Sequence, residues 1–151
     1  MSEALYNTAI LRLAASPAAP RLDAPHASVV RVSPVCGSRV TVDVDLGDDG
    51  RVLRFGQEVR ACALGQASAA LLGQHVVGRS ADELSAARAG LAAFLKGDAD
   101  SPGDWPGLGI FAPARPHKAR HASILLGFDA AAAAATQAAQ ARATQSEVAA
   151  A

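Results

Sequence analysis

The feature that most constrains this chain is the stretch from Arg39 to Leu46, where apolar and polar side chains alternate without a fault. Val40, Val42, Val44 and Leu46 fall on one side, and Arg39, Thr41, Asp43 and Asp45 on the other. A period of two belongs to an extended chain with one face buried, because successive Cβ atoms point to opposite faces of a sheet. Gly47-Asp48-Asp49-Gly50 follows. Its glycines take positive φ without penalty and its carboxylates bond nearby amides, so the chain turns back on itself. Arg51 to Arg60, with Val52, Phe55 and Val59, reads as the return strand. Ser28 to Val35, β-rich and broken by Pro34, is the expected first strand of the same antiparallel sheet.

Helical periodicity surrounds this hairpin. Tyr6, Ile10 and Leu13 share one face of a short helix that Ser16-Pro17 ends, and a Pro/Ala stretch then runs to Pro25. Beyond Cys62, Leu64, Ala67, Leu71 and Leu72 are spaced for one helix face, with Gly73 or Gly78 available as a stop. Ser80 and Glu83 form a capping box, each side chain satisfying an amide of the other, which opens a helix to about Leu95. Residues 97–116 are rich in Gly, Pro and Asp and long for a connection; Trp105, Leu108, Ile110 and Phe111 make them a partly packed loop rather than a free linker. A last helix is expected from Lys118 to Ala135, weakened by Gly127. After Phe128 the chain is almost entirely Ala, Gln and Thr, so residues 135–151 are expected as an Ala-rich, solvated tail on a single domain of residues 1–134. Strands first and helices after them imply an α+β fold: a three-stranded antiparallel sheet with helices packed on one face.

Composition narrows the function. Fourteen basic and fourteen acidic side chains cancel, and no run of them marks a nucleic-acid footprint. Met1 to Ala15 carries Glu3, Asn7 and Arg12 inside its apolar pattern, which is neither a secretory leader nor a membrane span. A cytoplasmic protein whose partners are proteins or small ions is expected. No Ser-His-Asp order, glycine-rich phosphate loop or paired carboxylates stand out, so the reading is not that of an enzyme.

Two cysteines remain, and in a reducing compartment they are not a disulfide framework. Cys36 sits in Ser33-Pro34-Val35-Cys36-Gly37-Ser38, where a proline-held strand end meets a glycine that turns the backbone and leaves the thiol at the tip. Cys62 opens a helix, where the macrodipole favours thiolate over thiol. The hairpin between them returns both to one edge of the sheet, so they can converge on one site. Cysteine is also among the most buried residue types, and spacing alone leaves open that each is simply a small hydrophobe.

Pro34-Val35-Cys36-Gly37-Ser38 resembles the Pro-x-Cys-Gly-Asp loop of the iron-sulfur scaffolds called IscU, NifU and SufU. The strand Arg39 to Leu46, the Asp48-Asp49-Gly50 turn, a third strand and the run Arg60 to Ser68, with its second cysteine opening a helix of small residues, follow in the family's order. Leu5-Tyr6 looks like part of the family's N-terminal helix. The segment before the last helix, with Phe111-Ala112-Pro113-Ala114-Arg115, is similar to the insertion of the SufU-like branch, and the Leu-Pro-Pro-Val-Lys motif of the IscU branch is absent.

The resemblance implies a metal site built from Cys36 and Cys62, with Ser38 at the place of the family's aspartate and Ser123 at the place of its third cysteine. His121, beside that position, is a further candidate ligand. It implies a non-enzymatic scaffold that receives sulfur from a cysteine desulfurase, transiently holds iron or an iron-sulfur cluster, and serves iron-sulfur acceptor proteins. The alternatives are a zinc-assisted sulfur acceptor, as the SufU-like branch implies, and a metal-free binding partner of the desulfurase, which the two serines suggest because serine is a poor ligand beside a thiolate.

Overall fold

The computed structural model describes residues 5–150, with side chains to residue 144. Met1–Ala4, which includes Glu3, and Ala151 at the end of the expected tail lie outside the described residues. Three strands, β1 (Ala27–Val32), β2 (Arg39–Leu46) and β3 (Val52–Arg60), form one antiparallel sheet in the order β1-β2-β3. Register fixes the hairpin: Arg39 faces Arg60, Thr41 faces Glu58, and the pairing slips once at Asp45/Leu46, where the turn begins. Four α-helices follow the expected punctuation: α1 (Thr8–Ala14), α2 (Ala63–His75), α3 (Ala81–Lys96) and α4 (His121–Ala150). Asn7 caps α1, so Tyr6 lies just outside the helix it was expected to join. Ser80 and Glu83 make the full reciprocal capping box of α3, and Gly97 ends that helix in the left-handed region.

The alternation of β2 puts Val40, Val42 and Val44 into the core, where all three are buried beneath α4 and the neighbouring helices. The other face of β2 is not open to solvent as a half-buried strand would be. Asp43 and Asp45 are both buried, because residues 20–28 run across that face and supply partners for the carboxylates. Asp43 takes hydrogen bonds from the Arg21 guanidinium at 2.6 Å, the Ser28 hydroxyl at 2.6 Å and the Leu22 amide at 3.0 Å. Asp45 takes the His26 amide at 2.8 Å and the Arg54 guanidinium at 2.8 Å. Gly56, opposite Asp43 in register, makes room for this crossing: a Cβ there would stand 2.3 Å from the Pro20 carbonyl oxygen. Buried carboxylates are tolerated only when so fully bonded.

Residues 97–116 pack as expected and more firmly. Leu108 to Ala114 wind into a 3₁₀ helix, Leu108 and Phe111 are fully buried, and the Trp105 indole donates to the Leu71 carbonyl at 3.0 Å while standing edge-on to Phe128 at 5.1 Å.

The last helix differs from expectation. It begins at His121 and runs unbroken past Ala135 to Ala150. Ala130, Ala131, Ala134, Ala135 and Ala138 form one buried stripe along it, and Arg142 donates to the Gly47 carbonyl at the hairpin turn. Alanine contributes little area per residue, but its small size lets α4 lie close against the sheet and α3. By length and composition residues 118–144 could cross a membrane, yet about half of the most apolar window, 56%, is buried inside the protein.

Candidate functional site

Three chain segments meet at the end of the sheet away from the hairpin turn. The first is the loop after β1. Ser33 donates its amide to the Ser38 carbonyl and accepts from the Gly37 amide, both at 2.8 Å, and Gly37 closes this tight turn at φ +72°. Glycine alone adopts that φ without strain. Cys36 is thereby left exposed at the tip, while Ser33 and Ser38 on either side of it are buried.

The second segment is the start of α2. Cys62 is its N-cap and is half-buried. The third is the first turn of α4, which carries Ser123, buried at 2% exposure. Helices α2 and α4 touch here: a Cβ on Gly65 would stand 2.5 Å from the Ser123 Oγ, and the Ser68 hydroxyl donates to the Ile124 carbonyl at 2.6 Å. That close approach fixes Cys62 relative to Ser123.

The result is a continuous chain of sulfur and hydroxyl contacts. Cys36 Sγ lies 3.0 Å from Ser38 Oγ and 3.4 Å from Ser33 Oγ. Ser38 Oγ lies 3.3 Å from Ser123 Oγ, and Ser123 Oγ lies 3.3 Å from Cys62 Sγ. Four of the five residues expected at the site, Cys36, Ser38, Cys62 and Ser123, therefore converge. The fifth, His121, stands at the head of α4, but its Nε2 lies 2.9 Å from the Ala114 carbonyl and 3.1 Å from that of Arg115. A carbonyl only accepts, so this nitrogen carries the proton and is held toward the preceding turn.

Ser33 was not singled out by the sequence, although its place three residues before Cys36 in a tight turn is a usable signal. Its hydroxyl is the leading cause of a lowered Cys36 pKa, about 7 against 9.0, joined by the Ser38 hydroxyl and amide and by Ser123, and opposed by burial. The thiol donates to the Ser33 Oγ, and once its proton leaves, the rotatable serine hydroxyls donate to sulfur and stabilise the anion. Cys36 is thus an exposed, partly ionised nucleophile at neutral pH.

As a metal site the constellation is thin. It offers two thiols and two neutral hydroxyls, and among the described residues no group of three or more His, Cys, Asp or Glu side chains is placed to hold an ion. Tetrahedral zinc and protein-held clusters take four ligands, with thiolate or imidazole strongly preferred over serine. The residues of this chain do not fit a closed site for either.

No family model and no curated protein matches this sequence. Solved structures do. The N-terminal part of a nitrogen-fixing NifU-like protein from Brucella abortus is 40% identical over 92% of this chain and 97% of its own, with a TM-score of 0.85. A putative iron-sulfur cluster assembly scaffold protein for the SUF system from the thermophile Fervidobacterium islandicum AW-1 shares the fold, with a TM-score of 0.80 at 17% identity over 89% of this chain and 99% of its own. With its cysteine loop, hairpin and second cysteine in the expected places, the chain belongs to the NifU-like family of U-type proteins.

Proposed function

We propose that this protein accepts sulfur on Cys36 from a cysteine desulfurase and serves as a cytoplasmic iron-sulfur assembly scaffold, with Cys36 and Cys62 as the anchoring thiolates for iron or a transient cluster. The observation that carries this reading is the convergence of both thiols on the buried Ser123 hydroxyl, with Cys36 exposed and partly ionised at neutral pH. In the sulfur-accepting step the Cys36 thiolate attacks the outer sulfur of the desulfurase persulfide. The sulfur–sulfur bond of the donor breaks, its cysteine leaves as thiolate, and Cys36 becomes the persulfide; no net oxidation occurs. Iron or a cluster is cargo here. Its remaining coordination positions are filled from outside the chain, by a second thiol-bearing molecule or solvent, because Ser38 and Ser123 are hydrogen-bonded to one another and to sulfur. Iron-sulfur acceptor proteins would then draw the cluster from an open site.

Anaerobic reconstitution with iron and sulfide tests the cargo. The wild type should develop visible charge-transfer absorption that Cys36→Ser and Cys62→Ser lose, whereas a colourless, iron-free wild type contradicts cluster holding. A second reading, a metal-free binding partner of the desulfurase, is favoured by the two serines at ligand positions and would leave binding intact in a Cys36→Ala/Cys62→Ala variant. The zinc-assisted reading has less support, since it needs a third strong ligand beside these two thiols.

A further inference from the structure

Arg39 follows Ser38 directly and Arg60 stands two residues before Cys62, and the two arginines are register partners on β2 and β3. Like charges placed opposite each other across a sheet repel and cost stability. One acid in the cleft offsets this pair only in part. Arg39, Thr41, Glu58 and Arg60 line a cavity of about 250 Å³ on the helix-free face of the hairpin. The acid in that lining, Glu58, is shared between Arg60 at 3.7 Å and Arg21 at 3.9 Å, and Arg39 makes no ion pair among the described residues. Lys118 and Arg120, in the turn that leads into Ser123, are exposed and likewise make no ion pair among the described residues. Each of the three segments that build the thiol site therefore brings cations to its margin. The chain as a whole is neutral, with Asp48 and Asp49 at the far end of the hairpin and Asp82 and Glu83 at the head of α3.

We propose that the Arg39–Arg60 cleft is a carboxylate-binding subsite that docks an acidic segment of the protein delivering sulfur to Cys36. The occupant is a segment of the sulfur donor because the cleft starts one residue from Ser38 and two from Cys62, at the margin of the thiol site the donor must reach. Two arginines facing one another accept a carboxylate as a bidentate fork, and the partner's charge relieves a repulsion that the free protein carries. Docking there sets the donor's persulfide next to the exposed tip of the Ser33–Ser38 loop. The inference rests on the sulfur-accepting function proposed above.

The test is isothermal titration of the full chain with the cysteine desulfurase of the same organism, at about 50 and about 300 mM salt. Arg39→Gln/Arg60→Gln should bind roughly tenfold or more weakly than wild type at the lower salt, and the difference should shrink at the higher salt. Arg12→Gln on α1 should bind as wild type does. The double variant should also melt no lower than wild type, since it removes a cross-strand repulsion, a result that a merely structural role for the pair does not give. Equal binding by wild type and double variant overturns this subsite alone. No binding by the wild type overturns the subsite together with the desulfurase as donor.

Discussion

Cys62 Sγ and Ser123 Oγ lie 3.3 Å apart, although sixty-one residues separate them in the chain, because α2 and α4 press together at Gly65. This contact decides what the site can hold. A cysteine beside a hydroxyl is a hydrogen-bonded pair, whereas two cysteines at the same spacing would be a pair of metal ligands. Ser38→Asp with Ser123→Cys should convert one into the other by restoring two anionic donors to a backbone already arranged for them. Elemental analysis after zinc loading and desalting should give about one zinc per chain for the double variant and well under that for wild type. Equal metal content in both would mean that the backbone is not arranged for coordination.

Alkylation of Cys36 reports its ionisation. Because only the thiolate reacts, the rate with iodoacetamide should rise with pH through a midpoint near 7 and level off above it. Ser33→Ala removes the largest stabilising hydrogen bond and should move the midpoint upward, so that the variant reacts more slowly than wild type at pH 7. A midpoint unchanged by Ser33→Ala and by Ser38→Ala would show that these hydroxyls do not aim at sulfur.

Gly65→Ala tests the helix contact that positions the site. Alanine favours a helix over glycine by about 1 kcal/mol, so an uncrowded position would gain stability. Here the new Cβ would meet Ser123 Oγ at 2.5 Å and Ala61 Cβ at 2.7 Å. Overpacking of this kind costs about 1–3 kcal/mol, so urea denaturation should show a net loss. A gain would mean that α2 and α4 part easily at the site.

Asp43 ties residues 20–28 across the sheet, and its removal should be costly. Burial pushes its carboxyl up, but hydrogen bonds from Arg21, Ser28 and the Leu22 amide outweigh that and hold its pKa below the ordinary value. A depressed pKa contributes stability that is present above the unfolded value, about 4, and is lost as pH falls through the folded one. Stability should therefore drop on acidification below about pH 4, and Asp43→Asn should lose roughly 2–4 kcal/mol at neutral pH and show a weaker acid response. Denaturation curves at pH 7 and in acid measure both.

Much of this was legible because local signals agreed with the global fold. The alternation in β2 and the Gly47–Gly50 turn fixed the hairpin, and Ser80 with Glu83 fixed the start of α3. The convergence of Cys36 and Cys62 followed from the same hairpin geometry. What escaped depends on contacts between distant segments. The Pro/Ala stretch carries no periodic pattern, so nothing local says that Pro20–Leu22 will pass over Gly56 and bury two aspartates. The stripe ending in Ala138 is invisible to a reading that weighs side-chain area, since its value lies in how closely small residues let α4 approach. The bonds of His121 to the Ala114 and Arg115 carbonyls depend on how the 3₁₀ turn folds back, which spacing does not encode.

The central claim is that Cys36 is the sulfur-accepting thiol. The most direct measurement is anaerobic incubation with the cysteine desulfurase and free cysteine, followed by intact-mass and peptide mass spectrometry without reductant. Wild type should gain about 32 Da, one sulfur atom, on the peptide carrying Cys36, and Cys62→Ser should gain it too, while Cys36→Ser should not. An unmodified wild type, or an adduct that persists in Cys36→Ser, would contradict the account.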